Sequence, residues 1–167
     1  GVRGLQEPEV FNDLAQALKP TYQQGAGDSV YIKPFEYKFG LDLEMQSLFR
    51  NVRTAKDNFA MGVSLGNTVT GADVREALQS DAHKNEQGGI SGRPLKEKAL
   101  ERSRQVYQEM GEEMDITLIG GIQNAQDVWN ALTYGGAKAV DVYTAFVRPN
   151  TSTPNFAFYI LRDLHRA

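Results

Sequence analysis

The chain contains no cysteine. Disulfide frameworks, thiolate metal sites and cysteine nucleophiles are therefore excluded within it. Histidine is almost as scarce. The two residues of this type, His83 and His165, stand in polar segments, which argues against a histidine-rich metal site or a histidine base. No apolar run approaches the roughly 20 residues needed to span a bilayer. There is no basic block and the net charge is −3, so neither nucleic acid nor an anionic membrane surface is indicated as a partner. The residues after Gly1 carry neither a signal-peptide nor a transit-peptide pattern.

What is present is the composition of an ordinary globular chain, 41% hydrophobic and 23% charged. A chain of 167 residues can form one domain with a real core, burying roughly 70% of its unfolded surface. Short apolar runs closed by turn residues suit buried parallel strands, and four occur: Val30 to Lys33, Phe59 to Leu65, Asp115 to Ile119 and Ala139 to Phe146. Helical spacing appears between them. Glu9 to Lys19 aligns Phe11, Leu14, Ala15 and Leu18, and Leu43 to Ala55 aligns Met45, Leu48, Phe49 and Val52. Leu95 to Met110 aligns Ala99, Ser103, Val106 and Met110. Asn124 with Asp127 three residues on reads as a cap for the next helix, which Gly135-Gly136 would end. Thr153-Pro154 would open the last helix, with Phe156, Ile160 and Leu164 on one side.

The resulting order α-βα-βα-βα-βα predicts an α/β fold of parallel strands joined by right-handed crossovers. Four strands are half of a TIM-type (β/α)8 barrel, which usually needs ~250 residues. The expected domain is therefore residues 1–167 as a single partial barrel, the C-terminal half, with the N-terminal half outside the chain and supplied in cis or in trans. An open doubly wound sheet is the alternative.

Ligand sites of barrels lie beyond the C-terminal ends of the strands. After the third predicted strand, Gly120 and Gly121 precede a capped helix. Such a turn lets backbone N–H groups approach an anion, though two glycines also make a plain tight turn. After the fourth, Tyr143 and Thr144 could face the same anion or be ordinary strand residues. Gly88 to Leu95 holds three glycines around Ser91, between Ile90 and Leu95, which suits a loop packed on a ligand better than a loose one. Asn67 and Thr68 follow the second strand and offer amide and hydroxyl groups, or serve only as turn residues. Lys33 closes the first run and is either ligand-facing or a lysine reaching out of the barrel rim.

In this order and spacing the segments resemble the dihydroorotate dehydrogenase family nearly end to end. Gly1-Val-Arg-Gly-Leu-Gln6 looks like the stretch that follows the family's catalytic loop. Val30-Tyr-Ile-Lys-Pro34 looks like its flavin-lysine strand, and Gly66-Asn-Thr68 resembles its Asn-Thr substrate motif. Gly88-Gly-Ile-Ser-Gly-Arg-Pro-Leu95 is close to its signature loop. Ile119-Gly-Gly-Ile122 and Val142-Tyr-Thr-Ala-Phe146 resemble its two flavin-phosphate segments. The resemblance implies FMN as cofactor and oxidation of dihydroorotate to orotate, a step of pyrimidine biosynthesis. Lys33 would touch the flavin ring, and Asn67 and Thr68 would hold dihydroorotate or orotate. Ser91, Gly92, Gly120, Gly121, Tyr143 and Thr144 would bind the FMN phosphate. No catalytic base lies in the chain; the family's base would stand just upstream of Gly1.

The Ser-Gly-Arg-Pro-Leu and Tyr-Thr-Ala segments look closer to the quinone-dependent, class 2 branch. That implies quinone as electron acceptor and, in eukaryotes, a mitochondrial location at the inner membrane; the soluble branch would imply the cytoplasm. Phe59 to Gly66 is similar to the soluble branch as well. Four features depart from the family. Asp141 stands where the quinone branch usually has glutamine and Gly66 where it usually has threonine; Tyr134 to Gly136 holds an extra residue; Arg53 to Phe59 is unusually polar. These departures motivate an alternative, a catalytically inactive half barrel kept as a structural or interaction subunit. A third reading is a different phosphate-binding barrel enzyme.

Overall fold

The computed structural model describes residues 3–24, 35–70, 88–147 and 156–166. A 3-10 turn, Arg3–Gln6, leads into α1 (Pro8–Gln24). The remaining elements alternate: β1 (Glu36–Phe39), α2 (Met45–Asp57), β2 (Gly62–Leu65), α3 (Lys96–Met110), β3 (Asp115–Ile119), α4 (Ala125–Thr133), β4 (Ala139–Asp141) and α5 (Phe156–Arg166).

The four strands form one parallel sheet in the order β1-β2-β3-β4. A doubly wound sheet must reverse its strand order at a switch point. This sheet runs in sequence order throughout, which is the topology of a barrel. The architecture is that of half a (β/α)8 barrel, as the alternation of patterns predicts.

Register and burial sort the strand residues into two faces. Phe39, Val63, Leu65, Ile116 and Leu118 are at most 1% exposed and form the core with the helices. In α2 the buried residues Leu48, Asn51, Val52 and Ala55 fall at i, i+3, i+4 and i+7, a stripe laid against that face. Each fully buried leucine or valine adds roughly 1.5–3 kcal/mol. The other face of the sheet is polar. Glu36 accepts hydrogen bonds from the Ser64 hydroxyl (2.6 Å) and the Thr117 hydroxyl (3.1 Å), joining three strands. Gly62 pairs with Glu36 on one side and Asp115 on the other, and a Cβ there would stand 2.8 Å from the Asp115 carbonyl oxygen and 3.2 Å from Glu36 Oε1.

Helix ends behave as their chemistry dictates. Asn124 Oδ1 accepts the Asp127 N–H (2.9 Å), the cap predicted from sequence. The N-terminal turn is tied down by Gln6, whose Oε1 accepts the Gly40 N–H (2.7 Å) and whose carbonyl accepts from the buried Asn51 amide (2.7 Å).

Two strand boundaries differ from expectation, those of β2 and β4. Val30 to Lys33 lies outside the described residues, and the first described strand is Glu36–Phe39. β2 starts at Gly62 because Asn58 ends α2 and Phe59 takes a left-handed φ of 65°. β4 stops at Asp141, and the chain then turns, the Phe146 N–H donating to the Tyr143 carbonyl (2.9 Å). Thr153-Pro154 and His83 lie outside the described residues. No described helix is long and apolar enough to cross a membrane.

Candidate functional site

At the C-terminal ends of the strands is a cavity of about 180 Å³. It is lined from β1 by Lys38, beyond β2 by Asn67 and Thr68, from the glycine-rich loop by Ser91, Gly92 and Leu95, from the end of β3 onward by Ile119 to Gln123, and from the end of β4 onward by Asp141 to Thr144. Five segments remote in sequence converge because each follows, or belongs to, a parallel strand of one sheet. Asn67, Thr68, Ser91, Gly92, Gly120, Gly121, Tyr143 and Thr144, all singled out in the sequence, are brought together. Lys33 lies outside the described residues, so the role read for it finds no support there.

Lys38 was missed, along with Gln123 and Asp141 as lining residues. The signal that could have found Lys38 is the alternation Glu36-Tyr37-Lys38-Phe39. Tyr37 and Phe39 turn toward the helices, where Phe11 meets them edge-on at 4.9 and 5.1 Å. Lys38 therefore turns to the opposite side, into the cavity.

Local bonds hold the lining in place. Asn67 Oδ1 accepts the Thr68 N–H (2.9 Å), so the Asn67 amide nitrogen is the group left to donate. Val69 and Ile90 exchange two backbone hydrogen bonds (3.0 and 2.8 Å), strapping the Asn67-Thr68 segment to the glycine-rich loop. The Thr144 hydroxyl donates to Ser91 Oγ (3.2 Å), linking that loop to the end of β4. Gly92 has φ 77°, and a Cβ there would stand 2.7 Å from Thr144 Cγ2.

Gly120 and Gly121 have different reasons to be glycine. At Gly120 (φ 114°) a Cβ would meet only Leu95 side-chain carbons at 3.5 Å and beyond and Leu41 at 4.0 Å. At Gly121 (φ 81°) a Cβ would stand 2.3 Å from Lys96 Cα and 2.6 Å from Lys96 N. From sequence the pair suits either ligand approach or a plain tight turn. For Gly121 the structure gives another requirement: the turn packs directly on the first residue of α3.

The lining residues are rich in donor groups: the ammonium of Lys38, the amide of Asn67, the hydroxyls of Thr68, Ser91 and Thr144, and the glycine turn ahead of a helix N-terminus, while the Tyr143 side chain is 75% exposed. Among the described residues, Asp141 is the lining's one carboxylate. That donor set suits a polyoxygenated anion. Among the described residues, no group of three or more His, Asp or Glu side chains could hold a metal ion.

The family model for dihydroorotate dehydrogenase matches residues 3–164. Dihydroorotate dehydrogenase (quinone) of Pseudarthrobacter chlorophenolicus is 35% identical over 170 aligned residues, covering 100% of this chain and 45% of that protein. Dihydroorotate dehydrogenase (quinone) of Thermus thermophilus is 35% identical over 147, covering 88% and 38%. The crystal structure of the Eimeria tenella DHODH in complex with ferulenol superposes with a TM-score of 0.84 at 24% identity, covering 98% of this chain and 45% of that one. The chain thus spans less than half the length of the relatives it matches, and it belongs to the dihydroorotate dehydrogenase family.

Proposed function

We propose that this chain forms the C-terminal half of an FMN-dependent dihydroorotate dehydrogenase, supplying most of the FMN phosphate site and part of the substrate site. The observation that carries the reading is the single cavity. It gathers Asn67-Thr68, Ser91-Gly92, Gly120-Gly121 and Tyr143-Thr144, the segments whose sequence motifs imply substrate and FMN contacts. Its volume of about 180 Å³ falls below the roughly 300–1,000 Å³ of complete ligand sites, which fits a site with one wall contributed from elsewhere. The other half of the barrel would be supplied in cis or in trans.

The donor set fits FMN. The Gly120-Gly121 amides, the N-terminus of α4 and the Ser91, Thr144 and Tyr143 hydroxyls would hold the phosphate. Lys38 takes the place first read for Lys33: its ammonium would lie against the flavin ring and favour negative charge there. The Asn67 amide nitrogen and the Thr68 hydroxyl would donate to the carbonyl or carboxylate oxygens of dihydroorotate or orotate. When bound, FMN supplies a hydride acceptor. This chain's part would be to hold and orient dihydroorotate against the flavin through Asn67 and Thr68, the proton-accepting base being read as lying outside it. The relatives' names support quinone as the second acceptor, which would place the enzyme at a membrane; in a eukaryote that would be the mitochondrial inner membrane.

One observation favours a second reading. Asp141 brings a negative charge to a cavity otherwise built for an anion. An inactive half barrel with a structural role would tolerate it.

An absorbance spectrum of the undenatured protein, taken with the intact mass of its chains, separates the two. Flavin bands support the dehydrogenase, and a colourless protein that takes up no added FMN supports the inactive half barrel. In the flavin-binding case Lys38→Met should weaken FMN roughly 10- to 100-fold, the worth of one charged hydrogen bond. Unchanged affinity would remove Lys38 from the site.

A further inference from the structure

Behind the glycine turn lies a buried charge that the proposed function does not use. The Asp127 side chain is 3% exposed. Its Oδ2 accepts the Gln123 N–H (2.9 Å), and its own N–H is capped by Asn124 Oδ1 (2.9 Å). Its Oδ1 has no aligned hydrogen bond; compensation comes from the Lys96 ammonium at 2.6 Å, a charge contact. Lys96 is the first residue of α3, directly after the glycine-rich loop, and it is the residue on which Gly121 packs. The Lys96–Asp127 pair therefore ties together two of the segments that line the cavity.

We infer that Asp127 and Lys96 are positioning residues for the anion cradle, acting as a neutral strut. This rests on the anion-binding reading of the cavity and adds two consequences. Asp127 occupies the Gln123 N–H, so that amide is not offered to an anion, and the cradle is left to the Gly120-Gly121 amides and the N-terminus of α4. Lys96 cancels the carboxylate charge immediately behind the turn. An unpaired carboxylate buried there would repel any phosphate in front of it, so each partner is useful only while the other is present.

The test is a charge cycle read by FMN titration, following flavin fluorescence, on the whole chain and on Lys96→Met, Asp127→Asn and the double variant. Lys96→Met leaves the carboxylate uncancelled and should weaken FMN about tenfold, a coupling ordinary for groups in direct contact. Adding Asp127→Asn removes that charge and should restore affinity to within about threefold of the original. A packing role alone would give a double variant at least as weak as Lys96→Met, and that result would overturn the inference. A second measurement needs no flavin: in Asp127→Ala the Gln123 amide should exchange with solvent at least about tenfold faster, as its hydrogen bond is lost. Unchanged exchange would overturn the strut. If the original chain takes up no FMN, the functional reading fails, and the exchange measurement still decides whether Asp127 holds the turn.

Discussion

Gly121→Ala measures how tightly the cradle is clamped to α3. The new Cβ would fall 2.3 Å from Lys96 Cα and 2.6 Å from Lys96 N, both main-chain atoms that cannot rotate away. Overpacking of this kind costs about 1–3 kcal/mol. The left-handed φ of 81° adds roughly 1–2 kcal/mol for a residue with a Cβ. Together they come to roughly 2–5 kcal/mol. At roughly 2–4 °C per kcal/mol for a chain of this size, Tm should fall by about 4–20 °C in differential scanning calorimetry. Gly120→Ala is the internal control. Its Cβ would meet only side-chain carbons at 3.5 Å and beyond, so only the backbone term remains, roughly 1–2 kcal/mol. Equal losses for the two variants, or an unchanged Tm for Gly121→Ala, would refute the reasoning.

A pH titration of stability probes the cluster around Glu112. The hydrogen bond from Lys138, then that from Tyr107, holds the Glu112 carboxyl below its ordinary value of 4.5; its contribution is full above that value and lost as pH falls through the depressed folded one. The same contacts with Glu112 raise Lys138 above 10.5 and Tyr107 above 10.0, so their contributions are full below those values and lost as pH rises through the raised ones. The expected result is a shallow decline at both ends of the pH range, flattened in Glu112→Gln and by high salt because the groups are exposed; identical profiles for variant and original would contradict it. Ser103 is fully buried, and its hydroxyl donates to the Gly135 carbonyl (2.8 Å) where α4 ends. Ser103→Ala should cost about 1–2 kcal/mol in urea unfolding, the penalty for stranding that carbonyl; a loss near zero would mean water replaces the hydroxyl.

Much of the fold was legible because its signals are strong and local. Asp115 to Ile119 is apolar enough to read as a buried strand and matches β3 to the residue. Asn124 with Asp127 announces the start of α4 through cap chemistry that needs no tertiary context. The first strand was not legible from apolar pattern. Its cavity-side positions are Glu36 and Lys38, so only half its residues show the apolar signal, while Val30 to Ile32 nearby looks more strand-like. Lys33 ends that more conspicuous run, and so it drew the lysine reading that Lys38, on the cavity side of β1, did not. Most of the site was legible because glycine and hydroxyl motifs at strand ends are conspicuous. The reason for Gly121 was not, since a close approach between a turn and a helix 25 residues earlier leaves no trace in either segment.

The polar face of the sheet sets terms for whatever lies across it. A barrel floor of leucine and valine can be closed by any apolar layer of the right volume. A floor where Glu36 is shared between Ser64 and Thr117 cannot, because an apolar layer would strand the remaining lone pairs of the carboxylate. An opposing layer would have to carry donors or trap water at that height. Fidelity of closure would then be written in directional bonds, and a mismatched half would be rejected by unmet polarity before shape came into question.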